Sequence, residues 1–246
     1  DRSQGDLRGA LAASARAFAL DPAAETRGSL NNEYGGIYLS LGLYDSAAIV
    51  FRKMLAGDAS QRSDGYQSLA FLDAWLGKYA LAVSHLDSAI VMDRASSDTA
   101  NEARHRLFIA ELERSGGAAS ESRADMAKFM TIFRSTYLEP TLLLWAGRSA
   151  ARRDDRRMLG EIRDTLARRA RKESLSDHAA LADLDGEIAR LDGRPSDARA
   201  SFALALTLDP TEFEREMAAT GAFAERDFTT ADRLFRSLAN SLSCCY

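Results

Sequence analysis

Three histidines, two adjacent cysteines and one arginine-rich run are the residues of this 246-residue sequence best equipped for chemistry. A metal site on helices needs ligands returned to one face, such as two histidines four apart or a histidine with nearby cysteines. His85, His105 and His178 meet neither pattern, so each is expected to be structural or solvated. Cys244 and Cys245 are neighbours, and a bridge between them would be a strained ring closing no useful loop. They are expected as free thiols in a frayed tail. The sequence has no glycine-rich phosphate loop with its lysine, no G-x-S-x-G elbow and no dinucleotide fingerprint. No catalytic residue, metal or cofactor is therefore expected, and the chain is read as a non-enzyme.

The run Gly147 to Lys172 holds ten basic residues against four acidic ones, within a chain of net charge −4. Arg148, Arg152 and Arg156 follow at four-residue steps, as do Arg153 and Arg157. With a helix turn near Asp154-Asp155, these five arginines form a basic ridge, a candidate dock for an acidic protein or anionic lipid heads. The competing reading is a solvated face laced with Arg–Asp pairs, and it is favoured. Nucleic acid is disfavoured, because no aromatics interleave with the arginines and the whole chain is acidic. Lysine stands only at 53, 78, 128 and 172, so 28 of the 32 basic residues are arginine, a bias that fits a GC-rich genome.

The elements that would hold such residues must be helices. Alanine and leucine abound and only four prolines occur, whereas alternating β-branched stretches are not evident. Hydrophobic content of 46% with 28% charged residues suits a folded, soluble chain. No apolar run approaches the roughly 20 residues that span a bilayer. The sequence starts at Asp1 rather than at a methionine, which points to a processed form or a piece of a longer chain, and the compartment stays open.

A phrase recurs along the chain. "LGLYDSAAIVFRKMLAGD" at Leu41–Asp58 returns as "LGKYALAVSHLDSAIVMD" at Leu76–Asp93 and as "LDGRPSDARASFALALTLDP" at Leu191–Pro210. Aligned on Gly42, Gly77 and Gly193, alanine follows five residues later at 47, 82 and 198. Phe51, Leu86 and Phe202 follow nine residues later. A fourth copy puts Arg226 in the glycine slot, with Phe228, Ala231 and Phe235 in step. Seven residues before the turn stand Gly35, Ala70 and Gly186, small enough for two helices to cross closely. The spacing of 35 residues from Gly42 to Gly77, and 33 from Gly193 to Arg226, predicts one helix pair per repeat.

Helix pairs are expected near 29–41 with 45–57, 63–76 with 79–93, 98–115 with 119–134, 138–151 with 155–171, 175–191 with 195–208 and 211–224 with 228–241. A half repeat precedes them near 5–20. Ser29, Ser63, Ser176 and Thr211 are candidate N-caps. Around Gly116-Gly117 the turn reads as lengthened, and Pro140 to Arg171 carries almost none of the motif. This middle is taken as two degenerate repeats, with a looser helical-hairpin insertion as the alternative. The organisation is then a half repeat at 1–28, two clear repeats at 29–94, two degenerate ones at 95–174, two more at 175–242 and a tail at 243–246, all in one solenoid.

These glycine, aromatic and alanine positions, with Asp209-Pro210 ending the third copy, resemble the tetratricopeptide repeat. The resemblance implies an all-α fold, a right-handed α-solenoid of stacked antiparallel helix pairs whose concave face is lined by the first helix of each pair. It also allows a test for the carboxylate clamp by which some members hold a chaperone's C-terminus. The clamp slots here are Ser29, Asn32, Glu33 and Gly36, then Asp64, Gln67, Ser68 and Phe71, and the acidic pair would repel a carboxylate. Asn32, Leu39, Gln67, Phe71 and Trp75 instead offer an apolar, amide-bearing surface for a helix or extended segment of another protein. Trp75 serves equally well as core. The expected function is a non-catalytic interaction scaffold or adaptor, a subunit of a larger assembly. The alternatives are the sensor region of a longer chain with a kinase-like or DNA-binding effector, and an anion-binding surface at the ridge.

Overall fold

The structure is a computed structural model and describes residues 7–21 and 28–239. Among them are thirteen α-helices and no strand. In chain order they are α1 (Leu7–Leu20), α2 (Gly28–Ser40), α3 (Tyr44–Lys53), α4 (Ala59–Trp75), α5 (Tyr79–Ser96), α6 (Thr99–Ser115) and α7 (Ala119–Ser135). They continue as α8 (Pro140–Ala151), α9 (Arg156–Arg169), α10 (Leu175–Leu191), α11 (Pro195–Leu208), α12 (Glu212–Ala224) and α13 (Phe228–Ala239). A 3-10 turn at Met54–Ala56 extends α3. The chain divides into two compact units, Asp1–Tyr137 and Leu138–Tyr246. In the first, α1 leads into the pairs α2/α3, α4/α5 and α6/α7. In the second the pairs are α8/α9, α10/α11 and α12/α13.

All six pairs share one turn. The residues with positive φ at these turns are Gly42 (72°), Gly77 (73°), Gly117 (85°), Asp154 (54°), Gly193 (70°) and Arg226 (62°). One residue further on, the amides of Leu43, Lys78, Ala118, Asp155, Arg194 and Asp227 each donate to the carbonyl five residues earlier, at 2.8–3.0 Å. This left-handed residue followed by a 6→1 bond satisfies carbonyls that the end of a helix leaves open.

Seven residues before each turn stands a buried small residue: Gly35, Ala70, Ala110, Gly147, Gly186 and Ala219. At Gly35 and Gly186 the missing side chain is the point of contact. A Cβ there would meet the rings of Phe51 and Phe202 at 2.1 and 2.4 Å. The two cores grow around these contacts. Leu39, Ala47, Phe51, Met54, Leu69 and Leu72 pack in the first unit, and Ala189, Ala198, Phe202, Ala218, Ala219 and Leu234 in the second.

The middle of the chain follows the same frame more closely than its sequence suggests. The turn at Gly116-Gly117 is not lengthened: Gly116–Ala118 links α6 to α7 as Leu41–Leu43 links α2 to α3. Ser122 fills the alanine slot, buried, donating to the Ala110 carbonyl at 2.6 Å. Met126 fills the aromatic slot. The α8/α9 turn hides its register because Asp154 stands in for glycine, as aspartate can at low cost. In the last pair Ala231 is buried as expected, but Phe235 is 41% exposed and its neighbour Leu234 fills the core.

The caps also differ from expectation. Thr211 does cap α12, accepting from the Glu214 amide at 3.3 Å. Ser63 does not cap α4, because the helix starts four residues earlier behind Asp58. The Asp58 side chain accepts from Gln61 N while the Gln61 side chain accepts from Asp58 N. That D-x-x-Q pairing is a capping box legible in the sequence. Ser174, not Ser176, caps α10 by accepting from Asp177 N at 3.2 Å. The side chain of Ser29 lies outside the described residues.

Candidate functional site

On α4, Asp64, Gln67, Phe71 and Trp75 fall at i, i+3, i+7 and i+11, which places them on one helix face. That face is tied to the first helices on either side. The Ser68 hydroxyl sits 2.6 Å from Asn32 Oδ1 on α2 and 2.8 Å from the Asp64 carbonyl. Gln67 Oε1 lies 2.8 Å from His105 Nε2 on α6. The rings of Phe71 and Phe108 meet edge to face at 5.2 Å. Trp75 ends the row, 56% exposed, so it is surface and not core. Leu39 does not belong to the row: it is buried in the core of the first unit, where α2 meets α3 and α4.

Behind this face lies a buried polar network. His105 is 1% exposed and sets Nδ1 2.7 Å from Asp93 Oδ2. Asp93, equally buried, accepts from the Ser63 hydroxyl through Oδ1 at 2.5 Å. Both nitrogens of His105 therefore face oxygen, and the ring locks α5 to α6 and fixes the Gln67 amide from below. Burial raises the Asp64 carboxyl above its ordinary range, against the opposing pull of His105 and Arg104. The network joins residues 30 and 38 apart in sequence, so only the repeat register could have suggested it.

The other histidines have plainer surroundings. His85 Nδ1 lies 3.0 Å from Asp73 Oδ2, at an angle too poor for a hydrogen bond, and its ring stacks on Tyr66. His178 Nε2 faces the Lys172 carbonyl at 3.0 Å. Cys244 and Cys245 lie outside the described residues. Among the described residues no group of three or more His, Cys, Asp or Glu side chains could hold a metal ion. No helix there is long and apolar enough to cross a membrane.

The arginine run is divided by the fold. Arg148 is not on a ridge. It is buried in the second unit, where Nε donates to Asp183 Oδ1 at 3.0 Å and Nη2 donates to Asp183 Oδ2. Glu214 Oε2 lies 3.5 Å from the same Nη2. Arg153 folds back onto the Ser149 carbonyl at 3.0 Å, and Arg156 donates to Asp192 and to the Leu191 carbonyl. Arg152 and Arg157 are exposed. Along α9, Arg157 and Arg168 flank Glu161 and Asp164 at three- and four-residue steps, so the face carries charges of both signs.

No protein-family model and no curated protein sequence matches the chain. Solved structures do. A tetratricopeptide repeat protein from Parabacteroides merdae superposes with a TM-score of 0.58 at 16% identity, over 97% of this chain and 88% of its own. A chain of the APC/C hetero-tetramer Cut9-Hcn1 superposes with a TM-score of 0.60 at 15% identity over 96% of this chain. This chain spans 44% of that one.

The fold is that of the tetratricopeptide repeat. The α-solenoid fold of helix pairs expected from the glycine and alanine frame is thus present. Within the tetratricopeptide fold, α2, α4 and α6 are the first helices of their pairs; the row from Asn32 to Trp75 lies on α2 and α4, and His105 and Phe108 of α6 contact it.

Proposed function

We propose that this chain is a non-catalytic interaction scaffold that docks a helix or extended segment of another protein against α2, α4 and α6. The supporting observation is the row of Asn32, Gln67, Phe71 and Trp75. It is apolar and amide-bearing, and three of its four side chains are held by neighbours within the chain. Gln67 is anchored by His105, Asn32 by Ser68, and Phe71 by Phe108. Preorganised side chains lose little entropy on binding, and an exposed tryptophan beside a phenylalanine pair is the kind of anchor on which interfaces concentrate their energy. The arginines at 152–157 support a binding role less well, since Arg153 and Arg156 already have partners inside the chain and Arg148 is buried. One structural neighbour comes from a hetero-tetramer, in keeping with a subunit role.

The test is affinity capture from a lysate of the source organism, with the wild-type chain and a Phe71→Ala/Trp75→Ala variant in parallel. Circular dichroism first establishes that both are folded. A protein retained by the wild type and lost by the variant supports the proposal, and identical retention by both overturns the assigned surface.

A further inference from the structure

The second unit contains one polar cluster that the proposed docking row does not use. Arg148 on α8, Asp183 on α10 and Glu214 on α12 come from three successive first helices and are 5%, 0% and 3% exposed. Two ionised carboxylates against one guanidinium would leave a net negative charge in a buried site, which desolvation opposes. The geometry shows how the count is settled. Asp183 takes both guanidinium hydrogen bonds. Glu214 Oε2 is buried with no donor bonded to it. Glu214 Oε2 and Asp183 Oδ2 flank the same guanidinium nitrogen, Arg148 Nη2, with Glu214 3.5 Å from it. Two buried carboxyl groups rest against each other only when a proton lies between them.

We infer that Glu214 keeps a proton and donates it to Asp183, and that this shared proton latches the terminal pair α12/α13 onto α10. Losing the proton sets two carboxylates against each other and loosens α12/α13 while the pairs before it stay folded. Opening would uncover Ala198 and Phe202 of α11, which pack on Ala218, Ala219 and Leu234.

The other charges around Glu214 do not replace the proton. From α10 comes Glu187, which is bound to Arg190, and from the segment before α12 comes Asp209. Glu216 shares its own helix. On α11, Arg199 is held at the far end of α12 by Glu225 and Asp227. On α13, Asp232, Arg233 and Arg236 are exposed. Among the described residues Arg148 is the cation in reach, and it gives its hydrogen bonds to Asp183 while standing 3.5 Å from Glu214 Oε2. Burial first, and then the charge of Asp183, push the Glu214 carboxyl up to about 9.

The test is nuclear magnetic resonance of the whole chain with carbon-13 in the glutamate carboxyls. It follows Glu214 and the backbone amides of α12/α13 from mildly acidic to alkaline pH. The inference expects Glu214 to titrate well above the exposed glutamates. It also expects amide protection in α12/α13, corrected for intrinsic exchange, to fall about tenfold per pH unit between the ordinary glutamate range and that point and to level off beyond it, as release of one proton on opening requires. Amides of the first unit serve as the reference. Glu214→Gln keeps a donor and removes the titration, so its α12/α13 protection should be flat with pH. Titration of Glu214 together with the exposed glutamates would overturn the inference. So would a Glu214→Gln chain that loses protection in step with the wild type. Should that variant not fold, the wild-type carboxyl titration decides alone.

Discussion

The ring of Phe51 occupies the space that a side chain on Gly35 would need: a Cβ there would stand 2.1 Å from Cε1. The contact closes α2 onto α3, and Gly186 with Phe202 repeats it in the second unit. Gly35→Ala should destabilise the fold by about 1–3 kcal/mol through overpacking. Alanine's better helix propensity returns up to about 1 kcal/mol of that. Phe51→Leu in the same chain should recover most of the loss, because it removes the ring that clashes. Urea unfolding midpoints of the single and double variants check this, and strict additivity would contradict the contact.

At Gly77 no atom lies within 4 Å of a would-be Cβ, yet φ is 73°. The cost of Gly77→Ala is therefore pure backbone strain, roughly 1–2 kcal/mol. Arg226 bears the same strain already, at φ 62°. Arg226→Gly should raise the unfolding midpoint even though it deletes a charged side chain. A drop would mean that the Arg226 side chain matters more than its backbone.

The buried link between Asp93 and His105 predicts a large loss on truncation. His105→Ala leaves the Asp93 carboxylate with Ser63 but without its ring partner, and removing one member of such a buried pair typically costs about 3–5 kcal/mol. The same change frees the Gln67 amide at the docking row. Thermal unfolding measures the first effect, and binding of a captured partner to the still-folded fraction measures the second.

Stability should decline as pH rises. Burial, followed by the charges of Asp125 and Glu121, pushes the Glu113 carboxyl up to about 7, against an ordinary value of 4.5. Glu214 is raised still further. For both groups the folded chain holds more protons than the unfolded chain above 4.5, so the pH derivative of the unfolding free energy is negative. Their stabilisation is complete below the ordinary glutamate range. It is lost as pH climbs through about 7 for Glu113 and through about 9 for Glu214. Urea midpoints across that range should fall, and Glu113→Gln should remove the earlier part of the fall. A flat profile in the wild type would contradict both assignments.

The helix pairs were legible in the sequence because their turns obey local chemistry. A left-handed residue, a small residue seven before it and an alanine five after it are each demanded by backbone sterics or close helix crossing. The chain therefore announces four pairs at Gly42, Gly77, Gly193 and Arg226. The pairs at Gly117 and Asp154 are fainter because serine, methionine and aspartate take the slots, and the volume and backbone tolerance that qualify them are not visible as residue identity.

What the tertiary structure alone decided is which polar residues go inside. Nothing local separates Arg148 from Arg152, four residues away, yet one is buried against Asp183 and the other is exposed. Leu39 and Trp75 likewise part company, one into the core and one to the surface. A helix's own periodicity says which residues share a face, but whether that face meets water or a neighbour depends on a partner helix some 35 residues further along.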